Sequence, residues 1–261
     1  MLPTRSTPAC KRLQLVPDPV GTKRKPIAVS SALPAPTILH KDKDLLVIYK
    51  PAGIRSVPDG YNADLPHLRG LLEPDHGPLW MVHRLDKGTS GVMVLARNPE
   101  AHRALNQAFR DRQVQKLYHG LITPTPQWTA QVVDLPLRVN ADRRHRTRVD
   151  RQNGTSAWTS FEVLDKFALG ARLAITIKTG LTHQIRAHLR ELEFALLGED
   201  LYNAGLPEPL LSAPRPMLHA RELHFAHPAS GETLTFSAPY PDDFRAALAL
   251  IRQARDPGEG I

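Results

Sequence analysis

Hydrophobic residues recur along the chain at two different spacings, and the two spacings predict strands and helices. In 173–177 apolar residues alternate with small or polar neighbours, which is the period of a half-buried strand. In 101–109 they lie three or four positions apart, which is the period of a helix with one buried face. Asn98 and Pro99 precede this helix as a capping side chain and a proline at the first helical position.

Other segments show the same signatures. Strands are predicted from apolar runs bounded by turn residues at 45–49, 223–225 and 234–236. Helices are predicted at 182–193, with Thr182 as the expected cap, and at 242–251. Strands joined by tight turns, with few helices, predict an α+β domain whose mainly antiparallel, mixed sheet is flanked by helices.

The N-terminal segment differs from the rest of the chain. Residues 1–36 are rich in Pro, Ser, Thr and basic residues and show no apolar period. Such a composition buries too little apolar surface to offset the entropy of ordering. We therefore expect a basic, flexible tail at 1–36 and a folded domain at 37–261.

Composition narrows the class of protein. A net charge of +8, from 34 Lys and Arg against 26 Asp and Glu, favours a polyanionic partner. The single cysteine, Cys10, excludes an intrachain disulfide and a cysteine-based zinc site, which fits a reducing compartment. No apolar run approaches the length of a membrane span. We expect a cytoplasmic monomer with no membrane partner.

The densest cluster of reactive side chains is the segment HRLDKGTSG at 83–91, which precedes an apolar run at 92–96. A glycine-containing loop next to a buried strand can hold a reactive group rigidly, and Asp86 is the candidate. A structural ion pair between Asp86 and Arg84, or a turn cap, explains the same residues. The loop by itself leaves both interpretations open.

Two more clusters contain candidate residues. The segment 182–188 lies at the start of a predicted helix, where backbone N–H groups favour anions. Its His183 and His188 suggest a metal site, but their spacing differs from the one-turn pair of H-E-x-x-H, and an ordinary polar helix start is the alternative. Lys116 and Tyr118 lie on a predicted strand, where a tyrosine is more often part of the core.

Taken in order, these segments resemble the RluA/RsuA-type pseudouridine synthase family. Its HRLDxxTSG signature is matched at His83, Arg84, Leu85, Asp86, Thr89, Ser90 and Gly91. Its other motifs resemble Lys50, Pro51 and Gly53; Lys116 and Tyr118; Thr182, His183, Gln184, Ile185, Arg186 and His188; Leu197, Gly198, Asp200 and Tyr202; and Leu218, His219, Ala220, His227 and Pro228. The resemblance implies a pseudouridine synthase catalytic domain at 37–261, similar to the RluA-like subgroup without an S4 domain.

Two positions depart from the family pattern. Leu181 stands where a basic residue usually precedes the THQ element, and Tyr49 stands where Asn or Asp is common before the lysine-proline turn. The change at Leu181 removes a possible RNA contact. Neither departure removes a residue that the resemblance assigns to catalysis.

The resemblance assigns catalysis to three residues. Asp86 is the implied nucleophile, Arg186 the cation that keeps it ionised, and Tyr118 the aromatic group against the flipped uracil. Arg84 is implied to fill the space that the base leaves. The reaction has no redox step, so no cofactor and no metal are expected.

Structured RNA, either ribosomal RNA such as 23S or transfer RNA or both, is the expected partner. The predicted RNA contacts are Arg84, His83, Thr89, Lys116, His183, Gln184, Arg143, Arg144 and Arg146. The last three belong to an arginine-rich segment at 138–151 for which a solvated loop is the alternative.

Two other classes of function fit some of these observations. A catalytically silent RNA-binding or chaperone protein fits the charge equally well, but has no reason to require Asp86, Tyr118 and Arg186 together. A metal hydrolase would use His83, Asp86, His183 and His188, although their spacing is unlike that of known sites. A silent RNA-binding protein would not convert uridine to pseudouridine, whereas a synthase would. A metal hydrolase would lose its activity in the presence of strong chelators.

Overall fold

Strands dominate the part of the chain that the computed structural model describes, which is residues 35–60, 62, 65–206 and 211–254. The strands are β1 Thr37–Lys41, β2 Leu45–Lys50, β3 Trp80–Met81, β4 Ser90–Ala96, β5 Gln115–Thr123, β6 Ala130–Asp134, β7 Leu137–Arg138, β8 Arg148–Val149, β9 Trp158–Phe167, β10 Gly170–Ile177, β11 Ala195–Leu196, β12 Leu218–Ala226 and β13 Thr233–Ser237. The helices are α1 Leu68–His76, α2 Pro99–Arg110, α3 Gln184–Glu191 and α4 Asp242–Gln253.

Eleven of these strands form one mixed sheet. Its main path runs β1-β2-β4-β12-β5-β10-β9-β6, with β3 paired to β4, β11 to β5 and β13 to β12. Neighbouring strands are antiparallel except β4 and β12, which are parallel. Strands β7 and β8 form a separate two-stranded sheet. The prediction of an α+β domain with a mainly antiparallel, mixed sheet is confirmed.

Central strands of the sheet are buried on both faces. Every residue of β4 is buried, and Leu45 to Ile48 of β2 are fully buried against it. A strand covered on both faces has no solvent side, so its sequence is a continuous apolar run rather than an alternating one. This explains why the continuous apolar runs at 45–49 and 92–96 predict strands.

The start of α2 agrees with the prediction from the sequence, whereas the start of α3 differs from it. Asn98 caps α2 as predicted, since its side-chain oxygen accepts a hydrogen bond from the Ala101 amide at 2.8 Å. Thr182 does not cap α3, and that prediction is wrong. The helix begins only after His183, because the side-chain oxygen of Gln184 accepts from the Thr179 hydroxyl at 2.8 Å and fixes the preceding turn.

Some elements gave no clear signal in the sequence. Helix α1 contains Pro74 and is capped by His67, whose Nδ1 accepts from the Gly70 amide at 3.1 Å. Proline is typically a helix breaker and histidine is not a usual cap, so both features argue against a helix there. Strand β9 alternates exposed and covered residues that include many polar ones. Tertiary packing forms both elements.

The close approach of β4 to β12 fixes the end of the HRLDKGTSG loop. Gly91 has φ of 128°, in the region that favours glycine, and a Cβ atom there would overlap the backbone of Ala220. Next to it, Ser90 Oγ lies 2.9 Å from His219 Nδ1. A glycine at this position lets the loop enter β4 directly beside β12.

Residues 1–34, most of the predicted tail, lie outside the described residues, so the flexible tail stays a prediction. Within the described ranges, no helix combines the length and the apolar character needed to cross a membrane.

Candidate active site

A cleft forms where the 82–89 loop meets β5, the end of β10 and the start of α3. Its apolar wall consists of Leu85, Ile177, Leu181, Ile185 and Leu218. Its polar side chains are Arg84, Asp86, Thr89, Tyr118, His183, Gln184 and Arg186. A cleft that combines apolar and polar side chains suits a planar ligand with polar edges.

The backbone on both sides of Asp86 is held by hydrogen bonds. The Ser56 hydroxyl donates to the Leu85 carbonyl at 2.7 Å, and the Gly53 amide donates to the Lys87 carbonyl at 2.7 Å. Arg215 Nη1 donates to the Gly88 carbonyl at 2.9 Å. The loop therefore presents the Asp86 side chain from a fixed backbone.

Two side chains of the α3 region face the Asp86 carboxylate. Arg186 Nη1 lies 3.9 Å and His183 Nε2 lies 3.7 Å from Asp86 Oδ2. Both distances exceed a hydrogen bond, so the interactions are electrostatic in the free protein. Such contacts commonly tighten when substrate binds.

The Arg186 guanidinium is held by a second acid. Its Nε and Nη2 donate to the two carboxylate oxygens of Glu199 at 2.7 and 2.6 Å, and the Tyr202 ring lies 5.0 Å from the guanidinium carbon. Burial opposes the charge of Arg186, but the bonds to Glu199 outweigh it and raise the arginine pKa. Burial likewise opposes the charge of Glu199, yet the bonds from Arg186 lower its pKa. The buried pair leaves Nη1 of Arg186 directed at Asp86.

Sequence reasoning missed Glu199 and matched Asp200 to the family motif instead. Asp200 is exposed, whereas the Glu199 side chain is 1% exposed and also accepts from the Leu201 and Tyr202 amides. The spacing of the motif contained the signal, because an acid three residues before Tyr202 is Glu199. The correction assigns the second acid of the site to Glu199.

Tyr118 lies in the middle of the sheet, where β5 pairs it with Ala220 on β12 and Ile175 on β10. The residue is 7% exposed and lines the cleft with Asp86. Burial, and then the charge of Asp86, raises the pKa of Tyr118, so its hydroxyl keeps its proton at neutral pH. The structure thus brings together the three side chains predicted to be catalytic: Asp86, Tyr118 and Arg186.

Of the nine predicted RNA contacts, four line the cleft, whereas His83, Lys116 and three arginines do not. Arg84, Thr89, His183 and Gln184 are part of the lining, and of these Arg84 is exposed. His83 accepts from the Val94 amide through Nε2 at 3.0 Å and stacks on Phe109 with ring centroids 4.8 Å apart. Lys116 is buried, with Nζ 5.9 Å from the Phe109 ring centre. The side chains of His83 and Lys116 therefore contact other parts of the protein rather than the cleft.

The arginine-rich segment forms the hairpin of β7 and β8 and the loop between them, which we call the arginine hairpin (138–151). Arg143 and Arg144 are exposed in its loop. Arg146 is paired with Asp142, Nε to Oδ2 at 2.7 Å, and is partly covered. Exposed guanidinium groups of this kind suit phosphate contacts, so RNA contact stays the prediction for Arg143 and Arg144.

The four residues of the alternative metal site are not assembled. The Nδ1 of His188 bonds Thr159 and its Nε2 donates to the Leu135 carbonyl. A different group of Asp42, Asp44 and His227 has its ligand atoms within 4.8 Å of one another. However, His227 Nδ1 accepts from two backbone amides, so the neutral ring has its proton on Nε2, where a cation would bind.

Two buried lysines lie near the cleft. Lys50 is fully buried, and its Nζ donates to the carbonyls of Pro51 at 3.0 Å and Ile54 at 2.9 Å. Burial, followed by the nearby Arg215, lowers the pKa of Lys50 to about 7, although the charge of Asp86 opposes the change. Burial lowers the pKa of Lys116 to about 8.

We expect the free energy of unfolding to increase from pH 7 to pH 9. In this window the unfolded chain, whose lysines titrate near 10.4, binds more protons than the folded chain, and stability then rises with pH. Each lysine contributes up to about 1.4 kcal/mol per pH unit above its folded pKa. Urea unfolding at three pH values measures the effect, and Lys50→Met should reduce the slope to the contribution of Lys116. A stability that stays constant or falls over this range would contradict the shifts.

Comparisons with known proteins identify the family to which the chain is similar. The family model described as RNA pseudouridylate synthase matches residues 44–191. The chain is 36% identical over 203 residues to the dual-specificity RNA pseudouridine synthase RluA of Escherichia coli K12, covering 77% of this chain and 92% of that protein. It is 37% identical over 228 residues to the ribosomal large subunit pseudouridine synthase D of Nitrosomonas europaea, covering 82% of this chain and 65% of that protein.

A solved structure extends the agreement to the fold. The human RNA pseudouridylate synthase domain containing 4 superposes with a TM-score of 0.69 at 30% sequence identity, covering 83% of this chain and 93% of that chain. The family match covers more than half of the sequence and includes the loop of Asp86, Tyr118 and Arg186. The chain therefore belongs to the RluA-type RNA pseudouridine synthase family, whose members are isomerases.

Proposed function

We propose that this protein isomerises specific uridines to pseudouridine in structured RNA, with Asp86 as the nucleophile. The observation that supports it most directly is the meeting of Asp86, Tyr118 and Arg186 in one cleft with an apolar wall. The reaction breaks the bond between the ribose and a uracil nitrogen and joins the ribose to a ring carbon instead. Nothing is oxidised or reduced, so side chains alone can supply the chemistry.

The cleft suits a base that has left the RNA stack. Leu85, Ile177 and Ile185 offer apolar contacts to its faces, and Tyr118 adds an aromatic surface. Extrusion costs a few kcal/mol and less in a loop than in a helix. Exposed Arg84, two residues before Asp86, can stack in the space that the base vacates.

The two oxygens of the Asp86 carboxylate have different surroundings. Arg186 and His183 both face Oδ2. The other oxygen, Oδ1, has no hydrogen-bond partner among the described residues, while the side chain is 21% exposed at the cleft. Oδ1 is thus the oxygen that we assign to the nucleotide.

The proposed substrates are 23S ribosomal RNA, transfer RNA or both. One relative is named a large ribosomal subunit synthase and another a dual-specificity synthase, which supports a ribosomal site and a second RNA. The arginine hairpin provides exposed cations, Arg143 and Arg144, for the RNA backbone. Leu181 adds no charge to the cleft wall at the position before the THQ element.

Site-resolved pseudouridine mapping of ribosomal and transfer RNA tests the proposal. Cells that lack the gene should lose modification at one or a few uridines, and the wild-type gene on a plasmid should restore it. A silent RNA-binding protein would leave every site modified in the deletion strain. Unchanged modification throughout both RNA classes would therefore contradict the proposed function.

A further inference from the structure

His183 has a backbone conformation that is uncommon for a residue with a side chain. Its φ of 56° and ψ of 19° lie in the left-handed region, and its side chain makes no capping hydrogen bond to α3. Such strain persists where the surroundings fix it and is frequent at functional sites. Here the conformation directs the ring to Asp86 rather than to the helix end.

The hydrogen bonds of Tyr202 favour one position for the proton on the ring of His183. The Thr147 amide donates to the Tyr202 hydroxyl oxygen at 2.7 Å, and an amide N–H can only donate. The hydroxyl proton is then available to His183 Nδ1, 3.1 Å away. When Nδ1 accepts this bond, the neutral ring has its own proton on Nε2.

Burial favours the neutral form of the His183 ring. Burial, the largest effect, lowers the pKa of His183; Asp86 and Glu199 oppose this change, whereas Arg186 and Arg84 reinforce it. A neutral imidazole offers either a proton or a lone pair at each nitrogen. The position of that single proton thus decides whether Asp86 faces a donor or a lone pair.

We propose that His183 is a positioning residue for Asp86, and that Tyr202 acts through His183 by selecting the form with the proton on Nε2. This form directs a donor at Asp86 Oδ2, as Arg186 Nη1 does, and leaves Oδ1 for the nucleotide. The other form would set a lone pair against the carboxylate, which is repulsive. Because Thr147 belongs to the arginine hairpin, the hairpin that we expect to contact RNA is joined to Asp86 through two side chains.

Tyr202→Phe tests the proposal, which rests on Asp86 being the nucleophile. The variant keeps the ring next to Arg186 and removes only the hydroxyl. We expect the single-turnover rate at saturating RNA to fall about fivefold, with RNA affinity unchanged. Nitrogen NMR of the free protein should show the Nε2–H form of His183 in the wild type and a mixture of both forms in the variant.

Tyr240→Phe is the matched control, since Tyr240 also bonds a histidine, His119, but does not line the cleft. Its rate should equal that of the wild type. In a His183→Gln background, Tyr202→Phe should have no further effect on the rate, because glutamine has no alternative ring form.

Three results would overturn the proposal: the Nδ1–H form of His183 in the wild type, an unchanged rate in Tyr202→Phe, or additive effects of Tyr202→Phe and His183→Gln. The NMR measurement does not depend on catalysis. It therefore tests the ring form even if pseudouridine formation is not found, whereas absence of activity in the wild type would refute only the proposed function.

Discussion

Replacement of Asp86 by asparagine is expected to abolish pseudouridine formation and to leave the fold intact. Asparagine has nearly the same shape, and the bonds that hold the loop involve the backbone of its neighbours rather than the carboxylate. An amide is a far weaker nucleophile than a carboxylate, so we expect a rate loss of roughly 10⁴-fold or more. Uridine conversion in transcripts of the mapped site measures it.

Asp200→Asn provides the control for the same change of charge and shape. Asp200 is exposed and does not line the cleft, so this variant should keep wild-type activity. Both variants should unfold at the wild-type temperature and bind RNA with similar affinity. Conversion by Asp86→Asn at even a tenth of the wild-type rate would exclude Asp86 as the nucleophile.

Replacement of Glu199 by alanine is expected to reduce both stability and activity. The buried Arg186 guanidinium would lose its two charge-assisted hydrogen bonds and keep only the more distant Asp86 as a countercharge, which costs up to about 3–5 kcal/mol. Without this support Arg186 is no longer fixed relative to Asp86, and misplacement by about 1 Å can reduce a rate roughly 100-fold. Denaturant unfolding and single-turnover kinetics measure the two effects.

Glu199→Asp distinguishes the effect of the negative charge from the effect of side-chain length. Aspartate keeps the negative charge but is shorter by one methylene, so we expect a smaller loss of stability and a rate between those of the wild type and Glu199→Ala. If Glu199→Ala changed the free energy of unfolding by less than about 1 kcal/mol, the Arg186–Glu199 pair would not stabilise the fold as its burial indicates.

Elements of the fold were predictable where the local sequence preference and the tertiary environment favour the same residue types. The buried run at 45–49 is apolar because both sheet faces are covered, and Asn98 caps α2 because a polar side chain is needed there in any helix. Helix α1 was missed because a histidine cap and an internal proline are stabilised only by surrounding structure. Thr182 was a reasonable cap by residue type, yet Gln184 occupies the turn.

The residues proposed to be catalytic were recognisable in the sequence for a different reason. Asp86, Tyr118 and Arg186 occur in motifs whose order along the chain is specific, so their resemblance to a family was visible without coordinates. Membership of a motif does not reveal which way a side chain faces. His83 and Lys116 belong to the same motifs and pack against Phe109, outside the cleft lining.

The sequence by itself determined the class of fold, the loop of Asp86 and the identity of the three side chains expected to act. Only the tertiary structure decided their arrangement: Glu199 rather than Asp200 holds Arg186, and Tyr202 orients His183 toward Asp86. The physical reason is that periodicity and capping depend on neighbours within a few residues, whereas ion pairs and the protonated nitrogen of a histidine depend on atoms brought together from distant segments.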